Sequence, residues 1–178
     1  SKYGFPPISK DNIRYDKSLG GGILNDAGCY PVNASRMLFQ SEPNGVFCKL
    51  IMDKEAQVDT KAVLLMDFNS NIQAQCSVGY DLDYQSNYRL WGSNGSLNLT
   101  RSYNIPPDMS AKLNVKNSDV EEEIMIEPVN HFKLMIESFC EEIMKSNSYN
   151  YNFEEDLLNQ ARVMEACRIS NNEKRYVE

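Results

Sequence analysis

Ile72, Ala74, Cys76, Val78 and Tyr80 occupy every second position of one segment. That period of two is the mark of a strand with one buried face. The turn residues Asn69-Ser70-Asn71 join it to a second apolar run, Val58 to Phe68, and predict a hairpin. Val46 to Met52 reads as a further strand. Tyr88 to Trp91 and Ser96 to Thr100 flank Gly92-Ser93-Asn94-Gly95, in which Asn94-Gly95 is the turn signal of a second hairpin. Short strands are read at Leu113 to Val115 and Glu123 to Ile126, with the acidic run Asp119 to Glu123 as a solvated turn or strand edge. Connections this short favour antiparallel pairing.

Helical spacing brackets the strands. Apolar residues from Leu24 to Phe39 follow a helical period, with a kink or broken first turn expected at Pro31. Ser41, Pro43, Asn44 and Gly45 close that segment. Pro128 suits a first helical position, and Val129, Phe132, Met135, Ile136, Phe139, Cys140, Ile143 and Met144 form a stripe expected to be core. Asn152 with Glu155 makes a capping-box-like start to the last helix, marked by Leu157, Leu158, Ala161 and Met164. Ser1 to Lys17 is a polar, extended lead-in with Pro6 and Pro7. The expected class is α+β: an open-faced, mainly antiparallel mixed β-sheet with helices packed on one face. The other face is left for something else to cover. All 178 residues are expected to form a single domain.

The formal net charge is −7, with no basic run. Nucleic acid and membrane surfaces are poor partners for such a chain. It has no apolar stretch of membrane-spanning length and no signal-peptide pattern. Five cysteines, Cys29, Cys48, Cys76, Cys140 and Cys167, are widely spaced, and His131 is the sole histidine. No metal site is expected; the cysteines read as small buried hydrophobes in a reducing cytoplasm. The N-x-[ST] triplets at Asn33, Asn94 and Asn98 are taken as chance matches. Neither G-x-G-x-x-G nor G-x-x-x-x-G-K-[ST] occurs. The start at Ser1 rather than Met is expected of a fragment or a processed chain.

The stretch Leu19 to Pro31 carries the chemistry. Gly20-Gly21-Gly22 permits close backbone approach or unusual φ. Asp26 and Tyr30 lie four apart, one turn from each other on one helix face. Spacing alone reads them as an exposed or N-capping Asp26 and a half-buried Tyr30. As a functional pair they can converge on one ligand. A tyrosine can give a proton to a carbonyl oxygen when a cation lowers its pKa of about 10. Arg14 can reach a substrate or phosphate, or be a surface arginine. Asn33, one turn past Tyr30, can line a pocket. Arg36 reads as a structural ion pair, Trp91 as core or sheet-face packing, and His131 as a cap or surface residue.

The block L-G-G-G-x-L-x-D-x-G-C-Y-P-V-N-x-x-R-x-L-F from Leu19 to Phe39, preceded by Asn12-Ile13-Arg14, resembles the Gfo/Idh/MocA family of oxidoreductases. It is most similar to the C-terminal domain of the branch with glucose–fructose oxidoreductase, dimeric dihydrodiol dehydrogenase and sugar 3-ketoreductases. Val58-Asp59-Thr60, the hairpin Tyr88 to Leu97 and Glu127-Pro128-x-Asn130-His131-Phe132 extend the likeness over nearly the whole chain.

The resemblance implies half of a two-domain dehydrogenase. The family's other half is a Rossmann domain that binds NAD or NADP and ends near an E-K-P motif with a catalytic lysine. Both the dinucleotide fingerprint and E-K-P are missing from these residues. Asp26 then matches the substrate-orienting aspartate and Tyr30 the proton-donating tyrosine. Asn33 and Arg14 are expected at the substrate, and Gly21 and Gly22 are candidate cofactor contacts. The implied substrate is a sugar or a related alcohol or ketone. The open sheet face, within Val58 to Thr100, is the expected interface of a homodimer or homotetramer. The chain by itself is expected to be inactive. The competing expectation is a non-catalytic, stand-alone binding or dimerisation module. A self-sufficient hydrolase has no Ser–His or Cys–His pairing to rest on.

Overall fold

The computed structural model describes residues 1–145 and 151–178, which divide into two units: Ser1–Ser86 with Leu158–Glu178, and Asn87–Leu157. In chain order the elements are β1 (Lys2–Gly4), α1 (Cys29–Phe39), β2 (Gly45–Met52), β3 (Asp59–Phe68), β4 (Ile72–Gly79), β5 (Gln85–Gly92), β6 (Gly95–Thr100), β7 (Ala111–Lys116), β8 (Glu121–Ile126), α2 (His131–Met144) and α3 (Phe153–Glu173). None of these helices is long and apolar enough to cross a membrane.

The first unit is built on the sheet order β2-β3-β4-β1. The β2–β3 and β3–β4 pairs are antiparallel, and β1 joins β4 in parallel. The predicted alternation decides the faces. Ala62, Leu64, Met66 and Phe68 on β3 and Ala74, Cys76 and Val78 on β4 are buried. On the helical layer Ile23, Leu24, Ala27, Val32, Val163, Met164 and Cys167 are buried as well. On the opposite face Phe47, Ile51 and Val63 remain exposed beside Gln73, Gln75 and Ser77. The open-faced sheet with helices on one side is therefore present in this unit. A 3₁₀ turn at Asn69–Asn71 links β3 to β4, with Asn71 at φ 62°. Sequence reading missed β1, because three residues show no periodicity; the lead-in is not merely extended but holds this strand and 3₁₀ turns at Ile13–Tyr15 and Lys17–Leu19.

The outer strand β2 has its free edge satisfied by the end of the chain. Cys48 N donates to Ser170 Oγ at 2.9 Å and Leu50 N to Asn171 Oδ1 at 2.9 Å. Val46 and Val177 exchange both backbone bonds, at 2.8 and 2.9 Å. Side chains of α3 and the last residues thus close an edge that otherwise invites pairing with another chain. Arg36 forms the predicted ion pair, bidentate to Glu42 at 2.6 and 2.8 Å, and its third bond reaches Gln160 Oε1 at 2.9 Å.

In the second unit β5–β6, β6–β7 and β7–β8 pair antiparallel. Lys112–Glu123 and Lys116–Glu121, at 2.9 and 3.0 Å, tie β7 to the acidic strand. The predicted hairpin is present as β5 and β6, and five details of the reading are corrected here. Gly92 pairs with Gly95, so Ser93-Asn94 is the two-residue turn and Gly95, at φ 149°, follows it. Trp91 is 87% exposed, because its cross-strand partner is Ser96, too small to cover an indole. Pro128 lies ahead of α2, which begins at His131; Asn130 is the cap, accepting from Lys133 N at 3.1 Å, so His131 does not cap. The stripe from Phe132 to Met144 is exposed rather than core. A helical period defines an apolar face but not the partner that covers it. Asn152 does cap α3: its Oδ1 accepts from Glu155 N at 3.1 Å and its Nδ2 donates to Glu155 Oε2 at 3.0 Å.

Ser170 is fully buried and is the partner of Cys48 N. Ser170→Ala strands that amide and is expected to cost about 1–3 kcal/mol in urea unfolding. An unchanged unfolding midpoint would contradict the edge-closing role.

Candidate functional site

The glycine block folds back on the residues before it. Gly21 N donates to Asp16 O at 2.9 Å and Gly22 N to Arg14 O at 3.0 Å. A Cβ on Gly21 would sit 2.6 Å from Arg14 O, and one on Gly22 would collide with Asp59 Oδ1. Gly22 also adopts φ 116°, a conformation few other residues tolerate. Asp59, the first residue of β3, accepts from Leu24 N at 2.6 Å. The carboxylate therefore holds the start of the next turn against the sheet.

That turn, Leu24–Gly28, is π-helical and runs directly into α1 at Cys29. An α-helix would ask Pro31 to donate to Ala27 O, and proline has no N–H. The irregularity expected at Pro31 accordingly lies ahead of it, in the wider turn, while Pro31 itself is buried inside α1. π-turns of this kind frequently accompany functional positions.

Asp26 projects from the π-turn. Its Oδ2 accepts from Arg14 Nε at 2.7 Å and from the Tyr80 hydroxyl at 3.2 Å. Arg14 is steadied by Asn12 Oδ1, which lies 3.4 Å from its Nη1. Tyr80 follows β4 and is fully buried. Its ring lies 5.6 Å from Tyr15 and 6.4 Å from Phe5. Phe5 stacks at a tilt 4.7 Å from Tyr3, and Tyr3 meets Tyr30 edge-on at 5.4 Å. Tyr30 is 44% exposed, so one side of its ring packs in this cluster and the other reaches solvent.

Sequence-predicted residues are thus placed as follows. Arg14 and Asp26 meet directly, and Tyr30 stands beside them at the rim of the aromatic cluster. Asn33 is exposed on α1, three residues beyond Tyr30. Gly21 and Gly22 use their N–H groups within the chain. Tyr80 and Tyr3 were not predicted at the site. Tyr80 had a signal, since it continues the period-two phase of β4 onto the buried face; Tyr3 had none. Among the described residues no group of three His, Cys, Asp or Glu side chains is arranged to hold a metal ion.

The electrostatics favour neutral phenols. Burial raises the pKa of Tyr30, and Cys29 and Asp26 add to the effect, while Arg14 opposes it. Burial likewise pushes Tyr3 and Tyr80 far above the ordinary tyrosine value, with Tyr84 and Tyr30 adding at Tyr3 and Asp26 at Tyr80. These groups keep their protons in the native state at a pH where unfolded tyrosines, with pKa about 10, lose them. The unfolded state then binds fewer protons, so stability must fall as pH rises past about 10. Unfolding by urea at increasing alkaline pH is expected to show that decline, and Tyr80→Phe to make it shallower. Stability that stays level well above about pH 10 would contradict the assignment.

A family model for the GFO/IDH/MocA C-terminal domain matches residues 1–98. The chain is 31% identical over 147 residues to dTDP-3,4-didehydro-2,6-dideoxy-alpha-D-glucose 3-reductase of Streptomyces violaceoruber, covering 82% of this chain and 43% of the relative. It is 27% identical over 134 residues to D-xylose 1-dehydrogenase (NADP(+)) 2 of Haloferax volcanii, covering 75% and 41%. The crystal structure of KijD10, a 3-ketoreductase from Actinomadura kijaniata in complex with NADP and TDP-benzene, matches with TM-score 0.86 and 26% identity, over 95% of this chain and 52% of that one. The chain spans about half the length of the curated relatives it matches. With the glycine block, the π-turn and the open-faced sheet all accounted for, the chain belongs to the Gfo/Idh/MocA family, as its C-terminal domain.

Proposed function

We propose that this chain is the substrate-binding and oligomerisation domain of an NAD(P)-dependent oxidoreductase acting on a sugar or a related alcohol or ketone. The observation that carries the reading is the juxtaposition of a carboxylate, Asp26, and a partly exposed phenol, Tyr30, on successive turns at the rim of one aromatic cluster. Asp26 orients a substrate hydroxyl. Tyr30 gives its proton to a carbonyl oxygen, or takes one from an alcohol in the reverse direction. Asn33, exposed on the same helix, adds a polar contact at the substrate.

The residues described do not fit a dinucleotide. The chain has neither nucleotide-binding loop, and the Gly21 and Gly22 amides are already bonded to Asp16 and Arg14. The glycines are therefore assigned to close backbone packing, and cofactor binding to the Rossmann domain that the family resemblance implies. On this reading the chain alone is inactive. Buried free thiols at Cys48, Cys76 and Cys167 suit a reducing cytoplasm.

The open face of the first unit supports self-association. Phe47 pairs with Leu65 across β2 and β3, Lys49 with Val63, and Ile51 with Lys61, giving an apolar patch edged by lysines. A second copy is the proposed occupant, and Val63→Glu is expected to shift the sedimentation profile to monomer. An unchanged profile for that variant, or a monomeric parent, would exclude this face.

Tyr30→Phe, in the intact protein supplied with NADP+ and D-xylose or with NADPH and a dTDP-linked ketosugar, is expected to cut turnover by about 10²- to 10⁴-fold. Turnover near the parent level would remove Tyr30 from proton transfer.

A further inference from the structure

The reading above leaves Tyr80 without a task. It is fully buried, yet its side chain ends in a polar hydroxyl. Its hydroxyl is aimed at one atom, Asp26 Oδ2, at 3.2 Å. The same oxygen takes the Arg14 Nε donor at 2.7 Å. Two donors on one carboxylate oxygen fix the rotation of the carboxyl group about its Cβ–Cγ bond. They come from separate parts of the chain: Arg14 from the 3₁₀ turn Ile13–Tyr15, and Tyr80 from just past β4. The carboxylate cannot turn without breaking both.

Resting on the proposed substrate role of Asp26, we infer that Tyr80 is a positioning residue: together with Arg14 it holds Asp26 Oδ2, so that Oδ1 is the oxygen presented to a substrate hydroxyl. Arg14 then acts through Asp26 and is not itself a contact for a substrate or phosphate. Tyr80 suits the task because burial keeps its phenol protonated and hence a donor at all working pH values. Its ring is fixed by Tyr15 and Phe5, so the hydroxyl is delivered without a flexible arm. A hydrogen bond to a charged group is also the kind whose removal is felt most.

The structural alternative is that Tyr80 merely fills the core. A double-mutant cycle separates the two. It is run in the intact, cofactor-loaded protein with the sugar that the parent turns over, chosen from D-xylose, D-glucose and a dTDP-linked ketosugar. Tyr80→Phe keeps the ring and is expected to lower kcat/KM for the sugar on the order of tenfold, with KM for the nicotinamide cofactor unmoved. In an Asp26→Asn background the same change is expected to have almost no further effect, because the carboxylate it positions is gone. An unchanged kcat/KM in Tyr80→Phe, or a full additional loss in the Asp26→Asn background, would overturn the inference. The parallel Tyr30→Phe variant separates the levels. If Tyr30→Phe collapses turnover while the cycle is additive, the functional reading stands and the role of Tyr80 fails. A parent that turns over none of the three sugars overturns both.

Discussion

The hydrogen bond from Leu24 N to Asp59, at 2.6 Å, fixes the site to the fold. Asp59 opens a strand in the centre of its unit's sheet, between β2 and β4. The bond therefore transfers the rigidity of paired strands to the first residue of the π-turn. It is possible only because Gly22 has no Cβ, since one there would occupy the carboxylate's space. Every orientation downstream, from Asp26 on the turn to Tyr30 at the start of α1, inherits this anchor. Gly22 thus leaves the gap in which backbone and carboxylate approach each other, and Gly21 the room to pack against the carbonyls of Arg14 and Asp16.

The second consequence concerns Arg14. An arginine near a glycine-rich segment suggests an anion site, yet here its Nε is committed to Asp26 and its other end to Asn12. A partly exposed pair of this kind adds little to stability. Its value is geometric. With Tyr80 on the same oxygen, the pair restrains the rotation of the carboxylate, and on the proposed reading binding or catalysis gains from a group that needs no reorganisation.

Much of this was legible in the sequence, and the reasons differ by element. β4 was readable from its alternation, β2 and β3 from their apolar runs, and the β3–β4 hairpin from a turn of Asn and Ser. Asp26 and Tyr30 were singled out by the family resemblance, since their four-residue spacing alone reads as an exposed or N-capping aspartate and a half-buried tyrosine. What failed has several causes, from a local neighbour to a partner far along the chain. Trp91 looked like core because an indole is large and apolar, but its cross-strand neighbour is a serine. The stripe on α2 gave the face of a helix without saying what lies against it. Tyr80 was visible as a strand residue and invisible as a site residue, since only folding brings it to Asp26, 54 positions away. Tyr3 sits on a strand of three residues, too short for any periodic signal.

The raised pKa of Tyr30 sets what this chain can contribute to proton transfer. Burial, Cys29 and Asp26 all disfavour the phenolate, and the cation that opposes them, Arg14, is itself neutralised by its bond to Asp26. At neutral pH the hydroxyl is therefore a donor. Giving a proton to a carbonyl oxygen fits that state directly; taking one from an alcohol requires first a phenolate that these surroundings resist. A second positive charge near Tyr30 would ease both directions by stabilising the phenolate. The family resemblance implies such a charge in the lysine of the E-K-P motif, which these residues lack. On the proposed reading, the donor Tyr30 and the orienting carboxylate Asp26 come from this domain and the group that tunes the donor from elsewhere, which would make the proton chemistry dependent on assembly of the complete enzyme.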